Sequence, residues 1–386
     1  MRLLYHHRTR SRDGQRVHID GLLGALRRAG HELHVVEPRP RPAAPAGAAR
    51  SAGDGGPPRA SALRELAELL YNVPERWQLE RAIARFRPDA IYSRHALYAS
   101  AAGAAAHAHR LPLLIEVNAP LAIERSRHGG LAFPGFAQRH ETTLLNRADR
   151  VIVVTQAMGE LLAKQGVARA KLEVHWNGLE PAALAAAPDG AAVRAARGWA
   201  GRCVLGFVGF VRDWNRLERV FPFLARRRDA CLVVVGEGPD CGRLGRLAAA
   251  AGVAGQLEFL GTLPREQVVA TVAAFDVALL PEVTEYASPL KLLDYFAAGR
   301  AALLPDRPNL REVITDGVNG LLFDPGDDAS FVGALERLVD DPPLRARLGA
   351  AGRATIDRLG LTWDANARRV EQAVAAALAA RHGGAT

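Results

Sequence analysis

The chain has 386 residues and a mass of 41.4 kDa, enough for two to three domains of about 150 residues each. Apolar residues make up 49% and charged residues 24%, which excludes a disordered, collagenous or disulfide-scaffold chain. The net charge of +9 favours anionic partners, but the basic residues are scattered arginines without interleaved aromatics, which argues against a dedicated nucleic-acid binder. No apolar run approaches the ~20 residues of a membrane-spanning helix. The start, MRLLYHHRTR, lacks the apolar core of a signal peptide. Cys203, Cys231 and Cys241 form no CxxC pair. A cytoplasmic protein with three packing cysteines is expected.

Short β-rich runs alternate with Ala/Leu-rich helical stretches. In the first half the strand candidates are Arg2–His7, Glu32–Glu37, Ala90–Arg94, Leu113–Asn118, Arg150–Thr155 and Leu172–Asn177. In the second half they are Val204–Gly209, Cys231–Gly236, Leu257–Gly261, Val277–Pro281, Ala301–Pro305 and Gly320–Phe323. Most are continuous apolar runs, as in parallel sheets covered on both faces. Ile19, Leu22, Leu23 and Leu26 have helical spacing, with Gly30 as the stop. Pro38–Ser61 is Pro-, Ala-, Gly- and Arg-rich and reads as a surface excursion. The stretch after it, SALRELAELLYNVPERWQLERAIARF, is apolar on one face and basic on the other. It reads as a helix packed on the sheet or as an interfacial surface touching a membrane or a lipid-linked acceptor. Glu180–Gly190 clusters Ala, Pro and Gly. It marks the boundary between two doubly wound α/β domains, 1–183 and 184–362, facing across a cleft.

The segment TEYASPLKLLDYFAAGR, Thr284 to Arg300, is the most informative. Ser288 suits an N-cap, Pro289 the first helical position and Gly299 the stop, with Leu290, Leu293 and Ala297 on one apolar face. Amides at a helix start, together with Lys291, suit a phosphate. Asp294, one turn on, suits the two hydroxyls of a ribose.

These residues resemble the retaining family 4 (group 1) glycosyltransferases of GT-B fold, and SPLKLLDYFAAG is similar to their donor-binding Glu-x7-Glu helix, with Asp294 as the second acid. LRRAGHELHVV, NRADRVIVVTQAMGELL, HWNGLEP, VVVGEGPDCGRL, LEFLGTLPREQV and ITDGVNGLLFDPGD resemble further family passages in the family's order. EVNAPLAIER and DGQRVHI resemble one bacterial subgroup. Three departures stand out. Tyr286 occupies the first Glu position, with Glu285 beside it. Arg212 and Arg216 fall near, but out of register with, the family's Arg and Lys for the diphosphate. Asn118 and Glu116 follow or end the strand where many members carry His.

The resemblance implies transfer of a sugar from a nucleotide-diphosphate sugar to a hydroxyl with retention, without cofactor or metal. The acceptor is lipid-linked at the inner face of a membrane in one reading. It implies donor-site residues Gly14, Arg212, Arg216, Gly236, Gly238, Leu263, Ala287, Ser288, Pro289, Leu290, Lys291 and Asp294. It implies Asn118, Glu124 and Glu285 near the reaction, and a C-terminal helix, 363–380, packing back on the first domain. The alternatives are an epimerase of the same fold or a GT-B protein that binds nucleotide-sugars without turnover. GEGPDCG lacks the spacing of a dinucleotide fingerprint. His6, His7, His18 and His95 lack metal-ligand spacing. Asp327 and Asp328 read as helix caps, and no G-x-S-x-G is present.

Overall fold

A computed structural model describes residues 1–10, 14–38, 61–127, 129–185 and 190–383. Most of the Pro38–Ser61 excursion, Asp13 and part of the Glu180–Gly190 stretch lie outside them. The chain divides into two compact units, Met1–Trp176 with Asp364–Thr386, and Asn177–Trp363.

The first unit contains β1 (Arg2–His6), β2 (Glu32–Val36), β3 (Ala90–Arg94), β4 (Leu113–Val117), β5 (Arg150–Val153) and β6 (Leu172–Val174). Its sheet runs β2-β1-β3-β4-β5-β6, and all neighbours pair parallel. Every residue of β3 and β4 is buried, whereas edge strand β2 alternates exposed and half-buried positions before Val36. That contrast explains why central strands read as continuous apolar runs and edges do not. Tyr5 pairs with Tyr92 across β1 and β3, and their rings stack at 5.5 Å. The last helix, Trp363–Gly383, is tied to this unit by Arg28–Asp364 at 2.6 Å, His31–Glu371 at 2.7 Å and Arg381–Asp149 at 2.7 Å.

The second unit contains β7 (Cys203–Val208), β8 (Ala230–Val235), β9 (Leu257–Gly261), β10 (Val277–Leu279), β11 (Ala301–Pro305) and β12 (Leu321–Phe323). Its order is β12-β11-β10-β7-β8-β9, again all parallel. Leu205, Phe207, Leu232, Val234, Leu279, Leu303 and Phe331 form its core. The three cysteines are free.

Residues 61–86 form two helices rather than one, Ala62–Leu70 and Asn72–Phe86. Ser61 caps the first by accepting from the Arg64 amide. Asn72 explains the break. Its Nδ2 donates to the Leu69 carbonyl at 2.8 Å and the Tyr98 carbonyl at 2.7 Å, and its Oδ1 accepts from the Ser100 amide at 2.8 Å.

Candidate active site

In a doubly wound parallel sheet, ligands bind outside the carboxyl ends of the strands. In the second unit the loops leaving β7, β8, β9 and β10 all lie at that edge. Those leaving β7 and β8 touch backbone to backbone. The Gly209 amide donates to the Val235 carbonyl and the Val211 amide to the Glu237 carbonyl, both at 2.9 Å. Gly209 and Gly236 have φ of 136° and 131°, which side chains avoid. A Cβ on Gly236 would stand 2.2 Å from the Gly209 carbonyl oxygen, and one on Gly238 would stand 1.9 Å from that of Val211.

The helix that enters this edge is Leu290–Ala297. Tyr295 fixes it against two strand ends. Its hydroxyl donates to the Leu279 carbonyl at 3.0 Å and accepts from the Val208 amide at 3.2 Å. One turn earlier, Lys291 Nζ lies 3.8 Å from the centre of the Phe207 ring. It also fills the space beside Gly209, where a Cβ would meet it at 2.9 Å. No carboxylate among the described residues pairs with it. Burial pushes its ammonium down to about 7.

The expected helix start is corrected by one position. Pro289, not Ser288, is the cap residue, and it makes no side-chain cap. The Ser288 hydroxyl instead accepts from the Asn177 amide at 3.1 Å, while Asn177 Nδ2 donates to the Ser288 carbonyl at 2.6 Å. The expected row of amides from Ala287 to Leu290 is also reduced. Ala287 donates to the Thr284 carbonyl, and Pro289 has no N–H. Leu290 and Lys291 carry the first amides of the helix, which have no intrahelical partner. The buried face is Leu292, Leu293, Tyr295 and Phe296, whereas Leu290 is only half-buried. Asn309 braces the preceding loop by donating to the carbonyls of Thr284 and Ala287.

Asp294 is nearly buried, and the Arg265 fork holds both its oxygens, Nη1 at 3.0 Å from Oδ2 and Nη2 on Oδ1. A carboxylate has about four lone-pair sites, so two remain. Leu263 is half-buried in the loop just before Arg265. Glu285 is exposed and pairs with Arg307 at 3.1 Å, but Arg307 grips Glu282 through three bonds of 3.0 to 3.2 Å. Tyr286 beside it is buried.

Arg212 lies exposed over the Phe210 ring at 4.8 Å. Arg216 faces Asp328 at 3.7 Å. Arg219, absent from the sequence expectations, is the buried arginine of this loop. It donates to Asp328 and to the Pro325 carbonyl, both at 2.7 Å. Asp327 caps the helix Asp328–Asp340 by accepting from the Ala329 amide at 2.8 Å. Lys291 and Gly236 are therefore brought together around Gly209, with Gly238 beside Val211 in the same pair of loops, whereas Arg216 and Glu285 are drawn to other partners.

In the first unit, Gly14 opens the helix Gly14–Arg28. Glu116, buried near the end of β4, accepts from Arg94 at 2.7 Å, Tyr92 at 2.8 Å and Asn118, and bonds His18 at 2.9 Å. Burial opposes its ionisation, but His18, Arg94 and Asn118 outweigh burial and hold the carboxyl well below the usual range. Asn118 is thus tied to Glu116, and Glu124 is half-buried on the helix Leu121–Arg127. His6 bonds Ser93 at 2.9 Å and Glu75 at 3.0 Å, and His95 bonds Glu141 at 2.8 Å. Among the described residues no three His, Cys, Asp or Glu side chains group as metal ligands.

Arg265 and Tyr295 lie inside passages that resemble the family, where the pattern assigns them no role, and Arg307 lies in none. Arg265 and Asp294 are 29 residues apart, and only the packing of the start of one helix against the middle of another joins them.

Two family models match the chain: Glycosyltransferase Family 4 over residues 12–183 and Glycosyl transferases group 1 over residues 201–355. A 2-deoxystreptamine glucosyltransferase of Streptomyces kanamyceticus is 28% identical over 57% of this chain and 59% of its own length. A D-inositol 3-phosphate glycosyltransferase of Nocardia farcinica is 28% identical over 71% and 63%. The chain thus spans about three fifths of the length of these two relatives. A GDP-mannose-dependent alpha-mannosyltransferase of Mycolicibacterium smegmatis is 26% identical over 88% and 87%. Among solved structures, Anabaena HepE in complex with UDP superposes with a TM-score of 0.76 at 16% identity, covering 97% of this chain and all of that one. Sucrose-phosphate synthase of Thermosynechococcus elongatus gives 0.76 at 18% identity, covering 98% of this chain and all of that one. With two parallel six-stranded sheets, a glycine-paired loop edge and both family models in chain order, the protein belongs to the family 4 (group 1) glycosyltransferases of GT-B fold.

Proposed function

We propose that the chain transfers a sugar from a nucleotide-diphosphate sugar to an acceptor hydroxyl, with retention at the anomeric carbon and without a metal ion. Lys291 carries the reading: a cation at a helix start, beside a glycine turn, with no acidic partner among the described residues. When the bond from the anomeric carbon to the diphosphate oxygen breaks, the leaving group gains charge. A cation already in place stabilises it without reorganisation. The new bond forms from the acceptor oxygen on the same face, and the acceptor proton goes to the leaving phosphate oxygen. Retention and this front-face course rest on the family resemblance.

Asp294, oriented by Arg265, would accept the two ribose hydroxyls through its remaining lone pairs. Gly236, Gly238 and Leu263 would let the donor approach backbone, with Arg212 as a further cation. In the first unit Asn118, which donates to Glu116, and Glu124 would orient the acceptor, and Gly14 is a donor-site candidate on the family resemblance alone. HepE, solved with UDP and with UDP-glucose, and the GDP-mannose-dependent relative support a nucleotide-sugar as donor class.

The test is a thermal-shift panel of nucleotide-sugars, since a ligand of the native state must stabilise it. Labelled transfer with the best ligand after exhaustive chelation follows. The expected result is a shift with at least one donor and turnover that survives chelation. Binding without transfer or hydrolysis would leave a nucleotide-sugar-binding protein. Activity restored only by a divalent ion would overturn metal independence.

A further inference from the structure

Over residues 63–77 the helices Ala62–Leu70 and Asn72–Phe86 are inverted in polarity, whereas Leu79, Ala82 and Ile83 further along pack inward. Glu65 and Glu75 are buried. Glu65 accepts from the Tyr98 hydroxyl and the Ala132 amide at 2.5 Å each. Glu75 pairs with His6 at 3.0 Å and Arg8 at 2.5 Å. An apolar row faces outward among exposed arginines: Leu63, Leu66, Leu70, Val73 and Trp77 are 50 to 79% exposed. They fall three or four residues apart. Tyr71 between the helices keeps helical angles (φ −62°, ψ −19°), so the row stays on one face for about 20 Å.

Phe133 and Phe136, also exposed, adjoin the Glu65 end through the Ala132 bond and the Tyr98–Phe136 ring contact at 6.0 Å. Seven of the eight exposed large apolar side chains described in the first unit lie here. Scattered exposed leucines are ordinary, but a contiguous patch marks an interaction surface.

Charge identifies the partner. The Trp77 ring lies under Arg81 at 4.4 Å, and Arg85 follows one turn on. Glu68 is taken by Arg64 at 3.1 Å and Arg125 at 2.6 Å, and Glu80 by Arg76 at 3.3 Å and by His109. Five arginines therefore face two glutamates, both engaged. An anionic bilayer supplies apolar depth for the leucines, a headgroup level for tryptophan and arginine, and phosphates for the excess charge. A second copy would bring the same positive excess against itself. We propose that this face docks on an anionic lipid surface. The inference does not depend on the donor-site reading.

The experiment is co-sedimentation of the full chain with vesicles of phosphatidylcholine alone, and with vesicles containing about one third phosphatidylglycerol. The expected result is strong partitioning to the anionic vesicles that falls as salt rises. Arg81→Glu with Arg85→Glu should lower it by at least about fivefold per arginine. Leu66→Ser with Trp77→Ser should lower it at least about tenfold. Both pairs should leave the thermal midpoint and nucleotide affinity unchanged, because the replaced side chains are exposed. No partitioning to anionic vesicles, or undiminished partitioning of the serine variant, would overturn the proposal. So would a dimer that the serine variant dissolves.

Discussion

Lys291 is the residue on which two properties conflict. An ammonium with no counter-ion among the described residues, in a half-buried site, opposes folding, and the same ammonium attracts a diphosphate. Its folded value of about 7 lies below the unfolded one. The unfolded chain therefore binds more protons between pH 7 and about 10.5, and the native state gains stability as pH rises through that window. Lys291→Met should raise stability at neutral pH by about 1–3 kcal/mol, the cost of an unsatisfied buried polar group, while nucleotide binding falls by about a hundredfold. Calorimetry and thermal melts read both. The sign for binding is opposite: nucleotide affinity in the wild type should decline above pH 7 as the free ammonium loses its proton, and in Lys291→Met it should stay flat. Asp294 adds the second residue-scale test. Bonds to a charged acceptor are worth roughly 1.5–3 kcal/mol, so Asp294→Asn should weaken nucleotide binding about 10- to 100-fold with the circular dichroism unchanged. Arg265→Met should cost about three- to tenfold through loss of orientation. Glu285→Ala against Tyr286→Phe, in a transfer assay, decides which residue carries the role of the absent first Glu. The sequence resemblance leads us to expect the loss in Glu285→Ala, and a loss confined to Tyr286→Phe would give the role to the tyrosine.

At the scale of elements, the site depends on how the helix Leu290–Ala297 and the glycine loops are clamped to the sheet. Tyr295 joins the ends of β7 and β10 through one hydroxyl. Tyr295→Phe removes both bonds and leaves a strand amide and a carbonyl without partners, costing about 1–3 kcal/mol by urea titration. Nucleotide affinity should fall with it, because Lys291 stands one turn away. Gly236→Ala is a harsher change, since its Cβ would meet the Gly209 carbonyl and its φ is positive. It should cost several kcal/mol or force the two loops apart. A protein that keeps wild-type stability and affinity with alanine at 236 would contradict the packing of these loops.

For the whole molecule, the first unit stores its pH sensitivity in buried carboxylates. Burial opposes ionisation of Glu75, but the bonds from His6 and Arg8 outweigh it and bring the group to about 2. Glu116 is held lower still by His18, Arg94 and Asn118. A depressed carboxyl contributes stability above its unfolded value of about 4.5 that is lost as pH falls toward its folded value. Acid unfolding of the first unit is therefore expected to steepen below about pH 4.5, and Glu75→Gln should flatten that dependence. Far-ultraviolet circular dichroism against pH is the measurement.

The sequence by itself determined the periodic part of this protein. A continuous apolar run such as Ala230–Val235 announces a strand covered on both faces, where a polar residue is tolerated only with a buried partner, as Glu116 in Leu113–Val117 has in Arg94, Tyr92 and His18. Helical spacing supplied the intervening layers, and ordered motifs supplied the family. What the tertiary structure decided is which polar groups are already occupied. Ser288 looked like a cap until Asn177 claimed its hydroxyl, and Asp294 looked unattended until Arg265 closed on it. The stretch 62–77 looked free to bury Leu63, Leu66 and Leu70 until Glu65 and Glu75 took the inner positions. Each of these outcomes is a competition between partners distant in sequence for a limited number of hydrogen bonds. Local pattern records the residue types that enter that competition, and only three-dimensional proximity settles which pair wins.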